Sequence, residues 1–389
     1  MDKHALLKYF DDWVETFHPP VYAPRDVLQV RPRAGGGFKV HTDHTTVTAD
    51  VVVVATATHQ RPRIPAVRLS RAVTQIHVVD YKCPEMLPSG RVLVIGAGQS
   101  GCQVVEDLLR GGREVFLAVG RCRTLPRRYR GRDVIDWQQA LGLLDRRPDD
   151  LPDPAMRFAP GDPQMTGRDG GRTTVRLADF AKRGVQLLGR LRGCSRSESS
   201  ANKQDQRAQQ APAEMAVLCF EGPSSVRHAT AEADRFLLDF IDQVDAHCSS
   251  SSSWHCPRDS KDEALVAAAQ EAVRNDAEER LAGRPTDSDA EQTLPLSRIS
   301  TVIWATGFEY DFNWLVGFGN NLLDKDGYPI TEGGTGSSPA ADGLHFCGLN
   351  WMNARKSGIL LGVAADAEAV AGAIARRVSG AFGGGRSRL

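Results

Sequence analysis

The sequence predicts an α/β fold in which buried parallel strands alternate with helices. Two runs of apolar, β-branched residues, Val51–Val54 and Val92–Ile95, are typical of strands that are covered on both faces. The second run leads through a glycine-rich turn into Cys102–Leu109, whose apolar residues recur at helical spacing. A further apolar strand, Glu114–Val119, follows that helix. This order of strand, turn, helix and strand is the repeating unit of a parallel sheet.

The turn after Val92–Ile95 reads Gly96-Ala97-Gly98-Gln99-Ser100-Gly101 and matches the pattern GxGxxG. In a dinucleotide-binding fold the first glycine permits the tight turn, the second permits close approach of a diphosphate, and the third lets helix pack on strand. Amides at the helix N-terminus then face the anion. We predict that a dinucleotide diphosphate contacts Gly96, Gly98, Gln99, Ser100 and Gly101. A glycine-rich turn without a ligand is the alternative.

The residues after Glu114–Val119 indicate which dinucleotide binds. An NAD-selective site has a carboxylate here, which accepts a hydrogen bond from the ribose 2′-hydroxyl. This sequence has Gly120-Arg121-Cys122-Arg123 instead, and guanidinium groups suit a 2′-phosphate. We therefore predict NADPH, with Arg121 at the 2′-phosphate. Arg127, Arg128 and Arg130 are expected to supplement this anion site, unless they only form a solvated basic loop.

Composition argues against several classes of protein. The 389 residues carry 48 Lys and Arg against 48 Asp and Glu, and zero net charge argues against a general nucleic-acid binder. No apolar window is long enough for a membrane span. Eight cysteines without CxxC pairs suggest reduced thiols in the cytoplasm. His247-Cys248 and His255-Cys256 flank a serine run, which is weak support for zinc, so we predict no metal. The sequence carries no signal of oligomeric state.

Other elements are expected on either side of the turn. The predicted helices are Asp2–Phe17, Asp133–Leu144, Leu177–Arg183, Phe236–Val244 and Ile359–Val378. The predicted strands are Val27–Val30, Phe38–Thr42, Thr45–Ala49 and Val185–Leu188. Residues 194–212 and 245–295 are polar and lack periodicity, so we expect loops or insertions there. The tail, 380–389, is expected to be disordered.

Several motifs together resemble the flavin-containing monooxygenase superfamily, in particular its bacterial and fungal branch of single-chain FAD- and NADPH-dependent flavoproteins. The matching stretches, in chain order, are VVVVATATHQRPRIP, VLVIGAGQSG, PRRYRGRDVIDWQQALGLLD, PQMTGRDGGRTTVRLADFAKRGVQLLGRL, TVIWATGFEYDFNWL and GLHFCGLNWMNARKSGILLGVAADAE. The resemblance implies two Rossmann-like dinucleotide-binding domains. An FAD-type domain, 1–85 and 300–380, is interrupted by an NADPH-binding domain, 86–299.

In this family the chain crosses between the domains at two Ala-Thr-Gly segments. Ala305-Thr306-Gly307 matches the second crossing, which implies that Thr306 and Gly307 lie near the NADPH, and a plain strand end with a C-terminal glycine is the alternative. At the first crossing, Ala55–Thr58, Ala57 replaces the glycine. We expect backbone strain at Ala57 if its φ is positive.

The FAD-type domain departs from the family pattern. Residues 1–80 resemble the latter half of such a domain, and the sequence contains no GxGxxG before residue 92. The first βαβ unit and its flavin fingerprint are thus missing, which leaves FAD binding open. We also expect an exposed sheet edge and exposed apolar surface. The resemblance places Gly348, Arg355 and Ser357 near the flavin ring, with a helix cap as the alternative.

The resemblance implies a flavin-dependent monooxygenase that uses NADPH and O2 to oxygenate a small nucleophilic or carbonyl substrate. No nucleophile–base pair is visible, so no catalytic side chain is predicted, as expected where the cofactor carries the chemistry. Two alternatives stay open: a truncated, non-catalytic dinucleotide-binding remnant, and an NADPH-dependent reductase without oxygenase activity.

Overall fold

A computed structural model describes residues 3–67, 69, 73–159, 162–163, 171–196, 216–250, 256–281 and 290–383. Its helices are α1 (Lys3–Glu15), α2 (Gln99–Arg110), α3 (Val134–Ala140), α4 (Leu177–Lys182), α5 (Pro223–Ser250), α6 (Ser260–Leu281) and α7 (Leu360–Gly383). The strands up to the dinucleotide-type turn are β1 (Val27–Pro32), β2 (Phe38–Thr42), β3 (Thr46–Ala49), β4 (Val52–Val54), β5 (Arg61–Pro62), β6 (Thr74–His77) and β7 (Val92–Ile95). The later strands are β8 (Val115–Ala118), β9 (Arg128–Tyr129), β10 (Arg132–Asp133), β11 (Gln186–Leu188), β12 (Leu191–Arg196), β13 (Ala216–Phe220), β14 (Gln292–Pro295), β15 (Thr301–Trp304), β16 (Phe308–Glu309) and β17 (Leu344–Phe346).

The chain forms two compact units. Unit 1 comprises the described residues of Met1–Ala55, Asp311–Gly348 and Val363–Leu389. Unit 2 comprises those of Thr56–Tyr310 and Leu349–Gly362. Unit 2 is therefore inserted between segments of unit 1 along the sequence.

Unit 2 is built around a five-stranded sheet with the order β11-β8-β7-β15-β6. Its pairings are parallel. Because the four residues of β7 are all buried and apolar, the strand packs on both faces, as its sequence predicts. The α/β fold class predicted from the sequence is confirmed.

Each face of this sheet has its own apolar layer. On one face Cys102, Val105 and Leu108 of α2 pack with residues of α4 against β7 and β8. On the other face Leu218 and Phe220 belong to an antiparallel sheet of β12, β13 and β14 that covers the same strands. The ends of the parallel strands are thereby fixed in a rigid layer, and the glycine-rich turn follows one of them.

A helical hairpin corrects the expectation of loops between 245 and 295. The helix predicted at Phe236–Val244 is part of α5, which continues to Ser250, and α6 occupies residues 260–281 of the expected loop. Leu237, Phe240 and Val266 of the hairpin pack on Tyr129 and Trp137. Ten of the 22 residues of α6 are Ala or Glu, whose intrinsic helix propensity outweighs the low hydrophobicity of the segment. Of the other expected insertion, 194–212, residues 194–196 form the end of strand β12 instead, and residues 197–212 lie outside the described residues.

Helix α3 shows why one predicted boundary was wrong. Asp133 is its N-cap, since the carboxylate accepts a hydrogen bond from Ile135 N at 3.0 Å and Asp136 completes a capping box. The helix ends at Ala140 rather than at Leu144, because Gly142 takes φ +67° and turns the chain.

In unit 1, β1, β2 and β3 form an antiparallel sheet, and β4 pairs in parallel with β17. The prediction of a parallel strand at Val51–Val54 is confirmed, but its burial is not, since Val53 is 42% exposed. Helix α1 exposes Leu7, Tyr9 and Trp13. These side chains belong to a helix and do not test the exposed sheet surface expected from the sequence.

The C-terminal helix also corrects an expectation. Helix α7 extends to Gly383, so the first residues of the predicted disordered tail are helical, whereas 384–389 lie outside the described residues. Among the helices that the structure describes, none combines the length and apolarity of a membrane-crossing segment. Within the same residues, no three metal-ligating side chains are grouped around a common point, and His255 lies outside them.

Candidate dinucleotide site

The turn between β7 and α2 has a backbone that only glycine can adopt. Gly96 has φ +110°, and a Cβ there would overlap the carbonyl oxygen of Ala305 at the end of β15. A Cβ on Gly101 would overlap the carbonyl oxygen of Gly96. The first and third glycines of the motif are thus required by close packing of strand, turn and helix, in the roles predicted for them.

Gly98 begins helix α2. It is the N-cap residue, and no side chain caps the helix at this position. The carbonyl of Gly98 accepts the first hydrogen bond of the helix from Cys102 N, at 3.0 Å. The N-terminal amides of a helix of this length attract an anion, and Gln99 and Ser100 provide two of them.

A cleft of about 340 Å³ opens over this turn. Gly98 and Arg121, both predicted from the sequence, line it together with Arg63 and Arg123. Two carboxylates, Asp153 and Asp162, also line it. Cations therefore outnumber anions along its walls, which suits a polyanionic ligand.

Asp162 is the most buried charged group of the cleft, its side chain being 8% exposed. Burial raises the pKa of this carboxyl, while the charges of Arg123 and Arg355 act in the opposite direction. The carboxylate lies 4.0 Å from the Arg355 guanidinium. Burial in turn lowers the pKa of Arg355, opposed by Asp162 and reinforced by the neighbouring Arg146 and Arg123.

The segment predicted to lie near a flavin ring is divided between the units. Gly348 is in unit 1, with φ +76°. Arg355 and Ser357 are in unit 2, where Arg355 N donates to Arg146 O at 2.8 Å. The Ser357 hydroxyl accepts hydrogen bonds from Asn353 N and Ala354 N, a capping role that matches the alternative given for this residue.

The crossing segment after β15 is joined to the cleft through Arg63. Arg63 N donates to Gly307 O at 3.0 Å, and Arg63 Nε donates to Thr306 O at 3.2 Å. The Thr306 hydroxyl donates to Arg63 O. The Nδ1 atom of buried His77 accepts a hydrogen bond from Val79 N. Its Nε2 atom therefore carries the proton and donates to Gly307 O at 3.1 Å.

Arg128 is not among the residues that line the cleft. It lies on the β9–β10 hairpin and donates to Gly131 O. Its neighbours are engaged in the same region: Arg127 pairs with Asp133 at 2.6 Å, and Arg130 pairs with Asp245 at 2.6 Å. The three downstream arginines thus fasten the hairpin and the helices next to it.

Several lining residues of the cleft were not predicted from the sequence, among them Arg63, Cys122 and Asp162. Arg63 lies a few residues after the first crossing segment, and its proximity to that segment is the signal that could have indicated it. Cys122 follows Arg121, but its thiol is directed inward and donates to Ala97 O at 3.2 Å. Asp162 stands in an irregular loop, and nothing in its sequence context indicates burial.

The expectation at the first crossing is confirmed. Ala57 has φ +55°, a left-handed conformation that costs an L-residue about 1–2 kcal/mol. Its carbonyl accepts a hydrogen bond from Gln60 Nε2 at 2.8 Å. The family's glycine at this position would adopt the conformation without that cost.

Comparisons with known proteins agree with the fold. The pyridine nucleotide-disulphide oxidoreductase profile matches residues 1–129. An uncharacterized CzcO-like oxidoreductase of Geobacillus kaustophilus is 26% identical over 370 residues, which cover 94% of this chain and 76% of the relative. A flavin-containing monooxygenase from Stenotrophomonas maltophilia has a TM-score of 0.52 at 15% identity, covering 97% of this chain and 76% of that one. A bacillithiol disulfide reductase from Bacillus cereus has a TM-score of 0.51 at 14% identity, covering 96% and 77%.

Fold and turn together define a flavoprotein oxidoreductase fold of the kind with two dinucleotide-binding domains. In sequence the chain is similar to the pyridine nucleotide-disulphide oxidoreductase profile over residues 1–129 and to the CzcO-like oxidoreductase over most of its length. Flavin and nicotinamide cofactors are used generally among such proteins.

Proposed function

We propose that this chain is a flavin-dependent oxidoreductase of the monooxygenase type that takes its electrons from NADPH. Its substrate is a small nucleophilic or carbonyl compound, and O2 is the second substrate. The observation that carries the proposal is the glycine turn at 96–101, which opens into a cleft lined by arginines.

The residues of unit 2 fit a nicotinamide dinucleotide. Gly96 and Gly101 pack too closely to accept a Cβ, and helix α2 begins directly after Gly98, so that its N-terminus would face a diphosphate. Arg121, at the end of β8, would hold the 2′-phosphate. Arg63, bonded to Thr306 and Gly307, would keep the crossing segment against the cleft when the nucleotide binds.

The described residues of unit 1 do not by themselves fit the diphosphate of FAD. This unit has a parallel pair of strands, β4 and β17. Neither strand is followed by a GxGxxG turn and a helix like those at 92–110. The same observation favours a second candidate function, a dinucleotide-binding module that binds NADPH and no flavin.

The first test separates these functions on the full chain. The protein is purified, incubated with FAD and freed of unbound flavin, and its visible absorbance is measured. NADPH oxidation is then followed with and without a nucleophilic substrate. Bound flavin with substrate-dependent oxygenation supports the monooxygenase. NADPH oxidation without oxygenated product indicates the reductase, and NADPH binding without flavin indicates the module.

A pair of variants at Gly98 tests the dinucleotide site itself. Gly98→Asp adds a favourable N-cap while placing a negative charge where the diphosphate would lie. Gly98→Asn has the same shape without the charge. We expect both variants to fold, with Gly98→Asp losing NADPH binding far more than Gly98→Asn. Equal affinity of the two variants for NADPH would contradict a diphosphate at this turn.

A further inference from the structure

Two neighbouring strands bring a second arginine to the end of β8. Strands β8 and β11 are parallel, with Leu188 opposite Ala118. Val119 N donates to Leu188 O at 2.8 Å, which continues the pairing past the strand ends. Arg190 therefore stands level with Gly120, the residue before Arg121.

The Arg190 guanidinium lies over the backbone of Gly120. Its Nε would be 3.5 Å, and its Nη2 3.9 Å, from a Cβ built on Gly120. These are ordinary van der Waals distances, so the Arg190 guanidinium packs at this edge of the sheet next to Gly120. The carbonyl of Arg190 accepts a hydrogen bond from Glu221 N at 2.9 Å, which fixes the backbone from which the side chain extends.

Neither Arg121 nor Arg190 is neutralised. Both are exposed, and among the described residues neither guanidinium has a hydrogen-bond or ion-pair partner. Glu221, which follows β13 and donates its backbone N–H to Arg190 O, has its carboxylate paired with Arg192 at 2.9 Å. Two like charges on neighbouring strand ends repel each other unless an anion lies between them.

The strand order determines which part of a dinucleotide reaches this pair. The diphosphate would lie at the turn after β7, and the adenosine ribose at the end of β8, one strand further along the sheet. Strand β11 is the next one out, about 4.8 Å beyond β8. A group on the ribose 2′-position would therefore lie between the ends of β8 and β11.

We propose that Arg190 is a specificity-determining residue that holds the 2′-phosphate of NADPH jointly with Arg121. This inference rests on the proposed function, because it requires the nucleotide to bind at the 96–101 turn. A 2′-phosphate is a dianion near neutral pH and can accept charge-assisted hydrogen bonds from two guanidinium groups at once. NADH lacks this group and would leave both arginines unpaired.

The test uses adenosine 2′,5′-bisphosphate and adenosine 5′-monophosphate as probes, titrated calorimetrically into the full chain. Arg190→Gln is expected to weaken binding of the bisphosphate about tenfold or more. Its affinity for the monophosphate should change by less than about twofold. Arg190→Lys keeps a point charge and should fall between Arg190→Gln and the wild type.

Arg91→Gln is the matched control, since it removes the same charge from the opposite end of the sheet, where Arg91 pairs with Glu114. It should leave both affinities unchanged. If the wild type prefers the bisphosphate and Arg190→Gln and Arg190→Lys keep that preference in full, this inference is overturned and the proposed function stands. If the wild type binds neither probe, the proposed function fails as well. A melting temperature measured on each variant ensures that folded proteins are compared.

Discussion

Gly96 lies directly against the carbonyl oxygen of Ala305, so that the ends of β7 and β15 touch without an intervening side chain. Ala305 N donates in return to Ile95 O at 2.9 Å. This contact fixes the turn that precedes α2 relative to the crossing segment at 305–307. The geometry of the candidate site thus depends on glycine at position 96, where a Cβ would overlap Ala305 O.

Gly96→Ala should lower the free energy of unfolding by about 2 kcal/mol or more, because it adds left-handed strain and a steric overlap. Urea denaturation measures the loss. Gly112→Ala is the matched control: Gly112 also has positive φ, +70°, but a Cβ there has nothing within 4 Å. Its cost should be about 1–2 kcal/mol, from the backbone conformation alone. Equal losses in the two variants would show that the contact with Ala305 does not constrain the turn.

Ala57→Gly should stabilise the protein. The substitution relieves about 1–2 kcal/mol of left-handed strain in the folded state. Glycine also gives the unfolded chain more conformational freedom, which lowers the stability by about 0.4–1 kcal/mol. A net gain of about 0.5–1 kcal/mol is expected in urea denaturation. Ala55→Gly, at a neighbouring position without positive φ, should give no gain. A loss of stability in Ala57→Gly would mean that the αL conformation at this position is not strained.

The ion pair between Arg176 and Asp234 is buried, with side chains 5% and 2% exposed. Two hydrogen bonds, at 3.0 and 2.6 Å, join the guanidinium to the carboxylate. Asp234→Ala should cost about 3–5 kcal/mol, because it leaves the arginine charge buried and unpaired. The double variant Arg176→Met with Asp234→Leu should recover most of that loss. Asp12→Ala breaks the exposed pair with Lys8 and should cost at most about 1 kcal/mol.

His77 gives the protein a pH-dependent stability. Burial lowers its pKa, opposed by the hydrogen bond to Gly307 and the charge of Asp80. The unfolded state then takes up a proton more readily than the folded state. The stabilising contribution is complete above about pH 6.5 and is lost as the pH falls through the folded-state pKa. His77→Gln should make the melting temperature fall less steeply below about pH 6.5. If the slope is unchanged, the pH dependence comes from another group, such as His345, whose pKa is also lowered by burial.

Much of unit 2 could be predicted because its sequence signals are local. A run such as Val92–Ile95 indicates a fully buried strand, and GxGxxG directly after it specifies a turn whose glycines have defined steric roles. Asp133 likewise marks the start of α3 through its capping carboxylate. Each of these signals acts within a few residues, so no knowledge of the tertiary structure is needed.

The remainder depends on contacts between distant residues. Helix α6 has few large apolar residues. Its buried apolar residues, Val266 and Ala269, form a packing surface only because α5 lies beside them. Arg130 carries the charge expected of a phosphate ligand but is paired with Asp245, 115 residues further along the chain. Arg190 and Gly120 meet only through the pairing of β8 and β11. Composition and spacing within a segment contain no information about such partners.

The most direct test of the proposed site is a titration of the wild-type chain with NADPH, followed by tryptophan emission and by melting temperature. Trp304 is 1% exposed and precedes Ala305, which contacts Gly96, so its emission is expected to report on the turn. We predict saturable changes in both signals, a rise in melting temperature as expected when a ligand binds only the folded state, and loss of both effects in Gly98→Asp. If NADPH leaves emission and melting temperature unchanged in folded wild-type protein, no dinucleotide lies at 96–101.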